Sequence, residues 1–136
     1  MPYVIHCPAG SPLATITYAD HLRGGEVADS FEDLLALLPE RILRLSVLCD
    51  TREATSLFAL SGEIERTVIE RTVSVLRRLE ARAPTGRGAY LGGRDHAVFV
   101  GIARLLLKLV GQTGRQRAVF TDCDEAMAWL READGS

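Results

Sequence analysis

This sequence predicts an α/β fold: a mixed, mainly parallel five-stranded sheet with about four helices. Three observations carry the prediction. Short segments rich in β-branched residues alternate with segments whose apolar residues recur every three or four positions. The first two strand-like segments are joined by a tight turn, and the later ones by helical stretches. One antiparallel pair followed by parallel crossovers is the arrangement this order demands. The 136 residues have the size of one domain, spanning 1–136, with no repeat, linker or low-complexity segment.

Tyr3–Cys7 and Leu13–Tyr18 read as strands on either side of the turn Cys7-Pro8-Ala9-Gly10-Ser11-Pro12. Gly24-Gly25 opens a helix through about Leu38, with Val27, Phe31, Leu34, Leu35 and Leu38 on one face. Pro39 ends it. Ile42–Cys49 reads as a strand, since the continuous apolar Val47-Leu48-Cys49 suits a strand covered on both faces. Asp50 then falls at its C-terminal tip, and Thr51–Leu60 reads as a loop with some local helix.

Ser61 caps a long helix ending near Ala83-Pro84. Ile64, Val68, Val75 and Leu79 mark its stripe, with Ile69, Val73 and Leu76 beside it. Gly88–Leu91 is a short strand and Gly92-Gly93 a turn. Asp95 is the N-cap of a helix running to about Gly111, whose wide apolar face extends from Val98 to Val110. Arg117–Thr121 is the fifth strand. Asp122 with Glu125 then fits a capping box, opening a helix that buries Ala126, Trp129, Leu130 and Ala133.

The net charge of −2 argues against a dedicated nucleic-acid binder, and no apolar run approaches the length of a membrane span. The small net charge conceals a pattern. Residues 1–63 carry nine acids and four arginines, residues 64–119 four acids and eleven bases, and residues 120–136 five acids and one arginine. A basic middle between acidic ends suits charge complementarity within the molecule or between subunits. A basic face for an anionic partner is the sharper reading. Cys7, Cys49 and Cys123 are odd in number and widely spaced, so neither a disulfide framework nor a zinc motif is expected. With no signal-peptide pattern at the N-terminus, a cytoplasmic location is expected.

Three stretches resemble the STAS fold and, within it, the SpoIIAA-like group of small bacterial proteins. They are Leu45-Ser46-Val47-Leu48-Cys49-Asp50 with Arg52 beyond it, and Gly88-Ala89-Tyr90-Leu91-Gly92-Gly93 leading to Gly101-Ile102-Ala103-Arg104. The third is Arg117-Ala118-Val119-Phe120-Thr121-Asp122 followed by Glu125-Ala126-Met127-Ala128-Trp129-Leu130. The likeness covers residues 42–133 by motif and the N-terminal part by element order. STAS domains of the anti-anti-sigma type bind a partner kinase or phosphatase. They are switched by phosphorylation of a serine at the start of the helix after the acid-tipped strand.

Ser61-Gly62 occupies that place, where a phosphate would meet the positive end of the helix dipole. The family's usual Asp-Ser-Ser-Gly here reads Ala59-Leu60-Ser61-Gly62, without the acid, so a plain capping role for Ser61 stands beside the switch. The SpoIIAA-like proteins proper imply an apolar-ligand carrier or a partner-binding scaffold, with no catalytic set.

The residues themselves offer little chemistry. His6, His21 and His96 lack metal-ligand spacing, so no metal and no cofactor are expected. Asp50, Thr51 and Arg52 fall where α/β folds place ligands, and Gly92, Gly93 and Asp95 belong to the same sheet edge if their strands are neighbours. The plainer reading is an Asp50–Arg52 pair and a tight glycine turn. No nucleophile with a base can be assembled, so an enzyme is not expected.

Two functions follow. One is a non-catalytic, STAS-like regulatory or protein-interaction module in a bacterial cytoplasm, acting near Ser61. The other is a small apolar-ligand or lipid-binding domain, suggested by the wide Val98–Val110 face. Homodimerisation is expected with either.

Overall fold

The computed structural model describes residues 3–22, 24–57, 62–93 and 115–135. Ser61, Asp95, His96 and the helix predicted from Asp95 to Gly111 lie outside the described residues. The elements are β1 (Tyr3–His6), β2 (Leu13–Leu22), α1 (Gly24–Leu37), β3 (Ser46–Leu57), α2 (Gly62–Arg82), β4 (Arg87–Leu91), β5 (Gln116–Phe120) and α3 (Cys123–Gly135). The five strands lie side by side in sequence order. β1 runs antiparallel to β2, and β2 through β5 run parallel to one another. The predicted mixed, mainly parallel five-stranded sheet is therefore the observed one, with three helices among the described residues.

Strand alternation divides the core into two layers. On one face Ile16, Tyr18, Val47, Cys49 and Tyr90 pack against Phe31 and Leu34 of α1 and Leu76 and Leu79 of α2. On the other, Leu48, Ala89 and Leu91 pack against Ala126 and Leu130 of α3. The face of α1 is the one its spacing predicts. On α2 the buried set includes Ile69, Val73 and Leu76, and it also includes Thr72, whose hydroxyl donates to the Val68 carbonyl at 2.7 Å.

One boundary departs substantially from expectation. β3 does not stop at Cys49; it continues through the predicted loop to Leu57, paired with an equally extended β2 whose Leu22 lies opposite Leu57. β4 accompanies β3 only as far as Asp50, opposite Leu91. Asp50 is therefore a mid-strand residue at the point where a two-stranded arm leaves the sheet. Register shifts lie between Thr17 and Ala19 and between Asp20 and His21, and Asp20 has a φ of 59°. Such irregularities twist and bend a paired ribbon.

The first layer contains a chain of polar groups. The fully buried Ser30 hydroxyl donates to the Val27 carbonyl at 2.6 Å and lies 2.6 Å from the Tyr18 hydroxyl, which therefore donates to it. Cys49 shares a hydrogen bond with Tyr18, and Tyr90 one with Arg117. Burial pushes the Cys49 thiol from 9.0 up to about 12 and the Tyr90 hydroxyl from 10.0 up to about 12. Tyr3, which donates to Asp33, rises likewise to about 12, through burial first and that hydrogen bond second.

In each case the unfolded chain loses its proton at a lower pH than the folded one. Stability is therefore full below about pH 9 and falls as pH rises from there towards 12. The expected slope is about 1.4 kcal/mol per pH unit for each group that has ionised only in the unfolded chain. Urea melts between pH 8 and 11 check this; a stability unchanged across that range would contradict it.

Candidate functional site

β3 and β4 are neighbours, so the residues named for the sheet edge, apart from Asp95, which lies outside the described residues, come together. Where β4 ends, Gly92 and Gly93 run alongside Asp50, Thr51 and Arg52 of β3. The Thr51 hydroxyl, buried, donates to the Leu91 carbonyl at 2.8 Å and ties the strands at the point where they part. A Cβ on Gly93 would stand 3.1 Å from the Arg52 Cα and carbonyl oxygen, a tight contact that the β3 backbone would have to relieve by a few tenths of an ångström. Gly93→Ala is expected to cost about 1 kcal/mol by forcing the strands apart. A thermal melt indistinguishable from that of the wild type would refute that reading.

Asp50 and Arg52 at this edge satisfy each other. Arg52 donates through Nε to Asp50 Oδ1 at 3.0 Å and through Nη2 to Oδ2 at 2.8 Å, and its backbone N–H also reaches Oδ1 at 3.0 Å. Both carboxylate oxygens are engaged in a bidentate pair. The hydrogen bond to Asp50 holds the Arg52 guanidinium above its ordinary value. The Gly92 N–H donates to the Phe120 carbonyl at 2.8 Å, so this amide fastens β4 to β5 and is not turned toward an anion. At the start of α3, Asp122 caps as its sequence predicts, accepting the Asp124 N–H at 2.9 Å. Cys123, half-buried, stands close enough to Arg52 to interact with its charge. Among the described residues of this edge, Asp50 is thus committed to Arg52.

Gly62 is the first residue of α2, and its neighbour Ser61 lies outside the described residues. His6 is exposed on β1. Among the described residues no three His, Cys, Asp or Glu side chains gather at metal-binding distances. No helix among them is long and apolar enough to cross a membrane.

A second region, at the opposite end of the parallel strands, was not marked by the sequence motifs. The Cys7–Pro12 turn and the connection from Leu37 to Arg44 enclose an open groove of about 320 Å³. Cys7, Pro8, Pro12, Leu37, Ile42 and Leu43 give it an apolar lining. Burial raises the Cys7 thiol above its ordinary value. Leu37 is 61% exposed and Leu43 80% exposed. The available signal lay in Leu37-Leu38-Pro39-Glu40-Arg41-Ile42-Leu43, which carries more apolar residues than one helix end and one strand start can bury. The interior void beside Cys49 and Tyr90, by contrast, is only about 10 Å³, room for a single water molecule.

No known family model matches this chain, and no curated protein does. Among solved structures it is similar to an uncharacterised protein of the DUF3478 family with a SpoIIAA-like fold, from Shewanella loihica PV-4. The two are 16% identical, the match covers 94% of this chain and 91% of that one, and the TM-score is 0.52. This chain therefore has a SpoIIAA-like fold. The resemblance read from the strand and capping motifs is the one the three-dimensional comparison finds.

Proposed function

We propose that this chain is a non-catalytic regulatory or protein-interaction module of a bacterial cytoplasm, and that it engages its partner through the groove between the Cys7–Pro12 turn and the Leu37–Arg44 connection. The observation that carries this reading is the pair of solvent-exposed leucines, Leu37 and Leu43, beside an apolar hollow. Large apolar side chains grouped around a concavity on a small domain are the usual mark of a contact surface. The bacterial source of the fold neighbour supports the setting. The mutual neutralisation of Asp50 and Arg52 supports a structural role for the opposite edge.

A photo-crosslinking side chain at position 43, with one at Arg131 on exposed α3 as control, tests this in cells of the source organism. A discrete protein adduct from position 43 that is absent from the control and lost on adding Leu37→Glu is expected. Equal or absent labelling at both positions would overturn the reading.

The groove also favours a second reading, since its volume and apolar lining are those of a small-molecule site. Native mass spectrometry of freshly purified protein separates the two. A retained small apolar molecule, displaced by Leu37→Glu, supports ligand carriage, and a bare polypeptide mass counts against it.

A further inference from the structure

Resting on the groove reading, we propose that Arg82 is the positioning residue of this site: it fastens the Leu37–Arg44 connection at two points and so sets the opening of the groove. The last carbonyls of any helix lack partners within it, and α1 has no basic side chain in its last turn to serve them. The missing cation comes from α2. Arg82, the last residue of that helix, donates through Nη1 to the Leu35 carbonyl at 2.7 Å. The same carbonyl accepts the Leu38 N–H at 3.2 Å, closing the turn that carries Leu38 into the groove wall. The backbone of Arg82 takes hold further along. Its carbonyl accepts the N–H of Ile42, which also lines the groove, at 3.2 Å. One residue thus fastens both Leu38 and Ile42, with Pro39, Glu40 and Arg41 looping between them.

The end of α2 is itself held. The Ala83 N–H donates to the Leu79 carbonyl at 2.8 Å, and Arg115 donates through Nη2 to the Ala83 carbonyl at 2.5 Å and through Nη1 to the Leu45 carbonyl at 2.6 Å. The Thr85 hydroxyl then donates to the Leu43 carbonyl at 2.7 Å. Arginine caps therefore act in series: Arg115, just before β5, fixes the end of α2, and Arg82 there fixes the end of α1. The opposite wall hangs on β3, whose Ser46 N–H donates to the Pro12 carbonyl at 2.7 Å. Arg82 is not among the residues that line the groove, so removing its guanidinium alters the shape of the site and leaves its lining intact.

Two variants test this. Arg82→Met keeps the apolar stem and removes the donor, and Arg82→Lys restores a charged donor. In Arg82→Met, hydrogen exchange at the Leu38 amide is expected to speed about tenfold or more, as the loss of a hydrogen bond from a charged group implies. In NMR spectra of methyl-labelled protein the signals of Leu37, Leu38, Ile42 and Leu43 are expected to shift, while those of Ile16 and Leu48, in the two core layers, stay in place. Arg82→Lys is expected to return the groove signals toward the wild type. Capture of a partner by the crosslinker at position 43 is expected to fall about tenfold in Arg82→Met, because a smaller fraction of molecules holds the competent shape. Groove signals and Leu38 exchange that match the wild type would overturn the proposal. So would a shift that spreads equally to Ile16 and Leu48, the mark of a general loss of packing. Groove signals that change in Arg82→Met while position 43 in the otherwise wild-type chain captures nothing uphold the clamp and overturn the partner reading instead.

Discussion

Replacing Gly86 by alanine is expected to destabilise the fold by about 3 kcal/mol or more, a large part of the 5–15 kcal/mol that typically holds a domain of this size. Gly86 has a φ of 132°, a conformation that residues with a Cβ rarely adopt, and an added Cβ would overlap the Leu45 carbonyl. Both problems fall at one joint. Thr85 bridges to Arg44, the Arg87 N–H donates to the Ser46 hydroxyl at 3.1 Å, and the Leu45 carbonyl that would be displaced accepts Arg115 Nη1 at 2.6 Å. Moving that carbonyl therefore disturbs the start of the β3–β4 pairing and the Arg115 contact together. Urea unfolding of Gly86→Ala measures the effect, and a midpoint within error of the wild type would show that the joint tolerates a side chain.

Glu80→Gln is expected to cost about 3 kcal/mol, because it removes the carboxylate that faces a buried guanidinium. Glu80 Oε1 accepts Arg117 Nη2 at 3.2 Å and the Arg115 N–H at 3.2 Å, and the Arg117 side chain is only 3% exposed. Arg115 is largely buried too, and that burial lowers it from its ordinary value. Its Nη2 donates to the Ala83 carbonyl at 2.5 Å, just beyond the end of α2. The amide that Glu80→Gln introduces keeps the size and one acceptor but loses the charge. A paired change, Glu80→Gln with Arg117→Met, removes both charges and should recover much of the loss, since buried ion pairs stabilise little relative to apolar groups of similar volume. If the double variant is no more stable than Glu80→Gln, the loss did not come from the uncompensated charge.

Much of the fold was legible because its signals are local. The apolar face of α1 is written in the spacing of Val27, Phe31, Leu34 and Leu35, and all four are buried. Asp122 caps α3 through its own neighbours, so two residues of sequence suffice to find it. The candidate edge was legible in part. Parallel alternation places β3 and β4 side by side, which brings Asp50 and Arg52 of β3 to Gly92 and Gly93 at the end of β4. That the Gly92 amide serves Phe120 depends on the position of β5, which no local pattern encodes.

The extension of β3 was hidden for a similar reason. Thr51-Arg52-Glu53 is polar enough to read as a loop, and it becomes strand only because β2 runs on beside it. Backbone hydrogen bonds to a neighbouring strand override a weak local preference. The groove was hidden because exposure belongs to no residue type. Leu34 and Leu37 are the same amino acid three positions apart; the first is fully buried and the second 61% exposed.

By itself, then, the sequence determined the order of the described elements, the mixed parallel sheet and the buried face of α1, since hydrophobic periodicity and capping act over a few residues. Tertiary structure alone decided how far β2 and β3 run together, that the Gly92 amide serves Phe120, and that Leu37 and Leu43 are left in water beside a hollow. Each of these depends on where a distant segment comes to lie, and that is set by packing across the whole sheet.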